Sequence, residues 1–142
     1  MDMQLFQWGR QYDVFSPQLD AEHRELFRLG GDLHKAVTSK APKARVNELL
    51  RALVDRAEDH FSHEERLMRE MRYQAYDWHK AQHDGVRRRV KAFVRRIEAG
   101  DGGAAEELLQ YLASWLRDHT GVTDRMMSAR LRAYEREHSS AR

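Results

Sequence analysis

Seven side chains able to bind a metal ion occupy positions of this 142-residue sequence where helical spacing predicts a buried apolar residue: His23, His60, Glu64, His79, His83, His119 and Asp124. Burying them without partners would cost about 1–3 kcal/mol for each neutral polar group, and more for each charge. Metal ions compensate such a cluster best, because they take up imidazole lone pairs and carboxylate charge together. Residues four apart on a helix differ by only about 40° in direction and roughly 6 Å along the axis. His60 with Glu64, and His79 with His83, have this spacing, so each pair addresses one small site. His119 and Asp124 are five apart, about 140° out of phase in a regular helix. Both face inward only where the helix breaks or bulges, and Gly121 stands between them.

Five imidazoles and two carboxylates are too many for one tetrahedral zinc ion but suit two metals bridged by carboxylates. Mixed nitrogen and oxygen donors favour iron or manganese over calcium or magnesium, and iron is the preferred assignment. The sequence has no cysteine, so disulfides, thiolate zinc sites, iron–sulfur clusters and cysteine nucleophiles are excluded.

Long helices must position these donors. Two Pro and eight Gly among abundant Ala, Leu, Glu and Arg predict an all-α fold with short connections. Ser16-Pro17 marks the start of a first helix reaching about Ser39, and Pro42 opens a second that runs to about Met71. A third begins near Tyr76 and stops at Gly100, a fourth follows the glycine-rich loop, and a tail helix starts at Asp124. The expected architecture is an up-down-up-down four-helix bundle with an N-terminal arm and a C-terminal helical extension. One domain is expected, with arm 1–19, bundle 20–124 and tail 125–142. Phe6, Trp8, Tyr12, Val14 and Phe15 lay the arm on the bundle, and Met127, Leu131 and Tyr134 pack the tail against it.

No apolar run exceeds three residues, which excludes a membrane-spanning helix. The first four residues carry an acid where a signal peptide needs Lys or Arg, so the cytoplasm is the expected location. A net charge of +2 from 25 basic and 23 acidic residues implies no strong polyanion partner. The basic run from Arg87 to Arg96 falls between apolar positions as a solvated helix face does, arguing against nucleic-acid binding.

Four motifs, in order, resemble those of the hemerythrins, specifically the single-domain bacterial ones. They are Asp20-Ala21-Glu22-His23-Arg24-Glu25-Leu26-Phe27, His60-Phe61-Ser62-His63-Glu64-Glu65, the stretch 73–79 with His83, and Trp115-Leu116-Arg117-Asp118-His119 followed by Asp124. The resemblance implies that His79, His83 and His119 bind one iron and His23 and His60 the other. Glu64 and Asp124 would bridge them beside an oxo or hydroxo group, leaving one open position for dioxygen. The implied function is reversible dioxygen binding for storage, buffering or delivery, served by an electron donor or an O₂-consuming partner. A peroxide or nitric oxide enzyme, or an O₂ or redox sensor, is the alternative use of the same site.

Leu112, Trp115 and Leu116 are the candidates to line a water-poor dioxygen pocket. Thr120 stands where the family usually has an apolar residue, so a hydroxyl there donates a hydrogen bond or admits water. Gly30-Gly31 is expected to leave a cavity or channel below His23. His34 is expected to be a satisfied core histidine, too far along its helix to reach the metals, and His63 to lie outside the ligand set.

Overall fold

The computed structural model describes residues 5–139; residues 1–4 of the arm and 140–142 of the tail lie outside the described residues. Helix α1 spans Pro17–Thr38, α2 Lys43–Glu70, α3 Tyr76–Glu98 and α4 Ala104–Asp118. A π-helical segment, His119–Asp124, joins α4 directly to α5, Arg125–Ser139. Helix α1 starts as expected: Pro17 occupies the first turn and the Ser16 hydroxyl accepts from the Leu19 amide at 3.4 Å. Short connections make neighbouring helices antiparallel, with α1 packed on α2 and α4, and α3 on α2 and α4. The result is the expected four-helix bundle with α5 extending beyond it. Among the described residues, no helix is long and apolar enough to cross a membrane.

Two apolar clusters fill the interior. The larger includes Leu26, Leu33, Leu53, Phe61, Val86, Leu109 and Leu116. The smaller, Val14, Leu19, Met68, Met71, Met127 and Leu131, ties the arm and α5 to α1 and α2. Polar donors lie in the core with them.

The arm is held by its carbonyls. Arg125 donates to the Asp13 carbonyl at 2.8 and 3.0 Å and to that of Gln11 at 2.9 Å, and Ser128 donates to that of Val14 at 2.8 Å. Arg117 donates to the Leu5 carbonyl at 2.9 Å, and the Val14 amide donates to the buried Asp20 carboxylate at 2.8 Å.

Three local expectations need correction. Phe15 does not pack inside: it is 59% exposed, with the Arg125 and Arg132 guanidiniums 5.5 and 5.4 Å from its ring. Gly30 leaves no channel, because the Phe6 ring occupies the space a Cβ would take, while Gly31 has nothing within 4 Å of that position. His34 is only half-buried.

Candidate metal centre

Helix α1 contributes His23, α2 His60 and Glu64, α3 His79 and His83, and the π segment His119 and Asp124; all seven are buried, at 0–3% exposure. The fourth contribution requires the π geometry. Hydrogen bonding from residue i to i+5 widens the turn and brings residues five apart into register, so His119 and Asp124 share one face. The helix therefore widens where the sequence left open a break. Gly121 does not make room for this, since an added Cβ would meet Tyr12 Cδ1 at an ordinary 3.7 Å.

The donor atoms form two overlapping groups, each with its atoms within 4.8 Å of one another: Glu64, His79, His83, His119 and Asp124, and His23, His60, Glu64 and Asp124. Glu64 and Asp124 belong to both. Nε2 of His119 lies 3.1 Å from that of His79 and 3.2 Å from that of His83. His23 Nε2 lies 3.0 Å from Asp124 Oδ2 and 3.5 Å from Glu64 Oε2. These carboxylate contacts are short but misaligned. Both oxygens of Glu64, both of Asp124, both ring nitrogens of His23 and Nε2 of His60 are buried without a geometrically sound hydrogen bond. A fold that buries so many unpaired polar atoms is incompletely satisfied by its own groups, and a cation among them supplies what is missing.

Three imidazoles are oriented from behind. His60 Nδ1 donates to Glu22 Oε1 at 2.6 Å, His83 Nδ1 to Glu65 Oε2 at 2.8 Å, and His119 Nδ1 to Gln82 Oε1 at 2.8 Å. With the proton fixed on Nδ1, the Nε2 lone pair points inward and is free to bind a metal. Glu22 also accepts from His63 Nδ1 at 2.8 Å, which keeps His63 outside both donor groups. Glu65 also accepts from Arg87 at 2.8 Å, and Gln82 from Thr123 at 2.9 Å. Glu22, Glu65 and Gln82 were not identified from the sequence. Each is the chain neighbour of a ligand on one helix and supports a ligand on the next, and that adjacency is the signal that could have found them.

Burial opposes every charge here, yet the groups stabilise one another as ions. Burial would lower the His60 pKa, but Glu64, Glu22 and Asp124 overcome it and push it up to about 10. His79 rises likewise to about 9 through Asp124 and Glu64. Burial would raise the carboxyls of Glu64 and Asp124, but the surrounding imidazoles hold both far below the usual range. His119, unlike His23, His60 and His79, moves down, because burial outweighs its attraction to Asp124. The interior thus favours two anionic carboxylates with positive charge between them, and protons and metal ions compete for that place.

The four pocket candidates do not line one space. Trp115 stacks on the His119 ring, with centroids 4.3 Å apart and planes at 12°. Leu112 and Leu116 face an apolar cavity between α2, α3 and α4. Thr120 is 1% exposed and its hydroxyl has no hydrogen-bond partner. Within the basic run, Arg87 pairs with Glu58, Glu65 and Asp84, and Arg96 with Asp101 and Glu107.

A helical bundle that gathers imidazoles and shared carboxylates from four of its elements defines a class of metal-binding bundle protein. Residues 14–131 match the Hemerythrin family, described as the hemerythrin HHE cation binding domain. The chain is 32% identical over 142 residues to the bacteriohemerythrin of Stenotrophomonas maltophilia, covering 97% of this chain and 92% of that one. It is 30% identical over 119 residues to the myohemerythrin of Theromyzon tessulatum, covering 84% and 88% of the two chains. It is 33% identical over 110 residues to the bacteriohemerythrin of Aquifex aeolicus, covering 75% and 82%. The chain belongs to the hemerythrin family, and its His, Glu and Asp cluster is suited to binding metal.

Proposed function

We propose that the chain is a non-haem di-iron protein that binds dioxygen reversibly, for storage, buffering or delivery. The observation that supports this is the unequal division of donors around two shared carboxylates, five atoms in one group and four in the other. In this reading His79, His83 and His119 hold one ion, His23 and His60 hold the second, and Glu64 and Asp124 serve both. The second ion then keeps a place for an exogenous ligand. Two ferrous ions supply the two electrons on which dioxygen binding draws and which its release restores.

The chain's own residues set the limits of that chemistry. Five neutral imidazoles bring no anionic donation, so this set stabilises high oxidation states less than a carboxylate-rich one does. Burial of all seven donors, with Trp115 over His119, restricts water and proton access. The unpartnered Thr120 hydroxyl favours a second reading, in which a ligand beside it receives a hydrogen bond and the site turns over peroxide or nitric oxide.

Metal analysis of protein from its native host, followed by stopped-flow spectroscopy of the reduced form, tests the proposal. Two irons per chain and an O₂-dependent charge-transfer band that disappears on deoxygenation are expected. Fewer irons, or catalytic turnover of peroxide in place of reversible binding, would overturn it.

A further inference from the structure

Beside the donor cluster, an apolar cavity of about 300 Å³ lies between α2, α3 and α4. Ala57, Phe61, Val86, Leu112 and Leu116 form its walls, and charged side chains occur only at Glu58, Arg87 and Lys91. Away from the charged mouth such walls give water little to bond to, so the inner part of the space favours an apolar molecule over water. Its volume leaves room for a molecule much larger than a diatomic gas. An apolar cavity of about 150 Å³ already accepts benzene, and this one reaches the lower end of the range of small-molecule pockets.

At the mouth Arg87 is matched by carboxylates, while Lys91 has no ion pair among the described residues. Arg87 donates to Glu58 Oε1 at 2.8 Å and Oε2 at 3.1 Å, joining α2 to α3, and also to Glu65 and Asp84 at 2.8 and 2.9 Å. A guanidinium already matched by three carboxylates is not available to recruit an anionic head group. The predominantly apolar walls favour a neutral occupant, and octanoate tests whether Lys91 recruits an anionic one instead.

Two contacts connect the cavity to the donor cluster. Phe61 is a cavity wall and stacks on the His83 ring, with centroids 4.4 Å apart and planes at 21°. Arg87 lies at the mouth, 5.5 Å from the Phe61 ring, and shares Glu65 with His83. An occupant pressing on Phe61, or moving Arg87, therefore acts on a candidate ligand from two sides.

We propose that this cavity is a binding site for a neutral apolar organic molecule of about six to ten carbons, whose occupancy is transmitted to the donor cluster through Phe61 and the Arg87–Glu65–His83 chain. The site does not depend on which metal the cluster holds.

Toluene titrated into the full chain, metal-loaded and metal-free, tests this by calorimetry and thermal unfolding, with xenon and octanoate as comparison probes. Saturable binding of one toluene per chain, a rise in Tm with ligand concentration and a change in Trp115 fluorescence or the metal absorption bands are expected. Ala57→Phe should weaken toluene binding at least tenfold with metal content unchanged. Ala57→Met, a smaller filling, should act in the same direction if the larger one does not fold. Uptake of xenon but not toluene, octanoate binding more tightly than toluene, toluene binding that survives both substitutions, or binding without any optical change would each overturn the proposal.

Discussion

The two donor groups share both carboxylates yet are built differently. The five-donor group draws His79 and His83 from adjacent turns of α3 and His119 from the π segment, and Nε2 of His119 lies 3.1 and 3.2 Å from those of His79 and His83. Its imidazoles are backed by a neutral amide, Gln82, and by Glu65, whose charge Arg87 offsets. The four-donor group has one imidazole from each of α1 and α2. His60 there is backed by Glu22, which among the described residues is matched only by His60 and His63. The larger group thus has more donors behind a charge-balanced shell, and the smaller has fewer donors behind a more anionic one. Donor number and backing charge are set separately, the first by ligand spacing and the second by residues next to the ligands.

Substitution of a shared donor should erase the distinction and give the largest effect. Glu64→Ala should bring iron content from the proposed two per chain toward zero and lower Tm, because metal binding is coupled to folding. His79→Ala, which cuts only the five-donor group, should reduce iron and Tm together but less severely. Elemental analysis with calorimetry checks both, and two irons retained in either variant would refute the shared-carboxylate arrangement.

Proton binding separates individual imidazoles in the metal-free protein. The pKa values of His60 and His79, about 10 and about 9, lie above the ordinary histidine value. The folded chain therefore holds protons there that the unfolded chain releases. That stability is complete below about pH 6.5 and is lost as pH rises through 9 to 10. His119, whose pKa is lowered by burial, acts oppositely and weakens the fold as pH falls below the histidine range. Urea midpoints of the metal-free chain should fall between pH 6.5 and pH 10. A constant or rising midpoint would contradict the assignment.

Thr120→Ile should have the smallest effect. Replacing a buried hydroxyl that has no hydrogen-bond partner among the described residues with an apolar side chain should slow autoxidation of the proposed O₂-bound form several-fold, with iron content unchanged. A faster rate measured optically would exclude a hydroxyl that assists water or proton access.

Much of the fold was legible because its signals are local. Ser16-Pro17, Pro42 and the run from Gly100 to Gly103 mark boundaries that the helices respect to within a residue or two. The seven donors were legible because an ionisable side chain on an apolar stripe needs a partner. Other features depend on distant segments. That Phe6 would fill the space beside Gly30, or that Arg125 would bind the carbonyls of residues 11 and 13, is carried by contacts more than 20 residues apart in sequence for the first and over 110 for the second. Phe15 reads as apolar in sequence, and only its backbone conformation, with φ of 64°, and the flanking arginines show that it faces solvent.

Helical periodicity and residue chemistry therefore determined, from sequence alone, that this chain forms helices and directs imidazoles and carboxylates to one interior. Tertiary structure decided how the spacing of His119 and Asp124 is absorbed, which neighbour of each ligand orients an imidazole on the next helix, and that an apolar cavity lies against His83 through Phe61. The physical reason is that periodicity fixes which face of a helix is buried, whereas pairing across helices and the space left between them depend on how those faces meet.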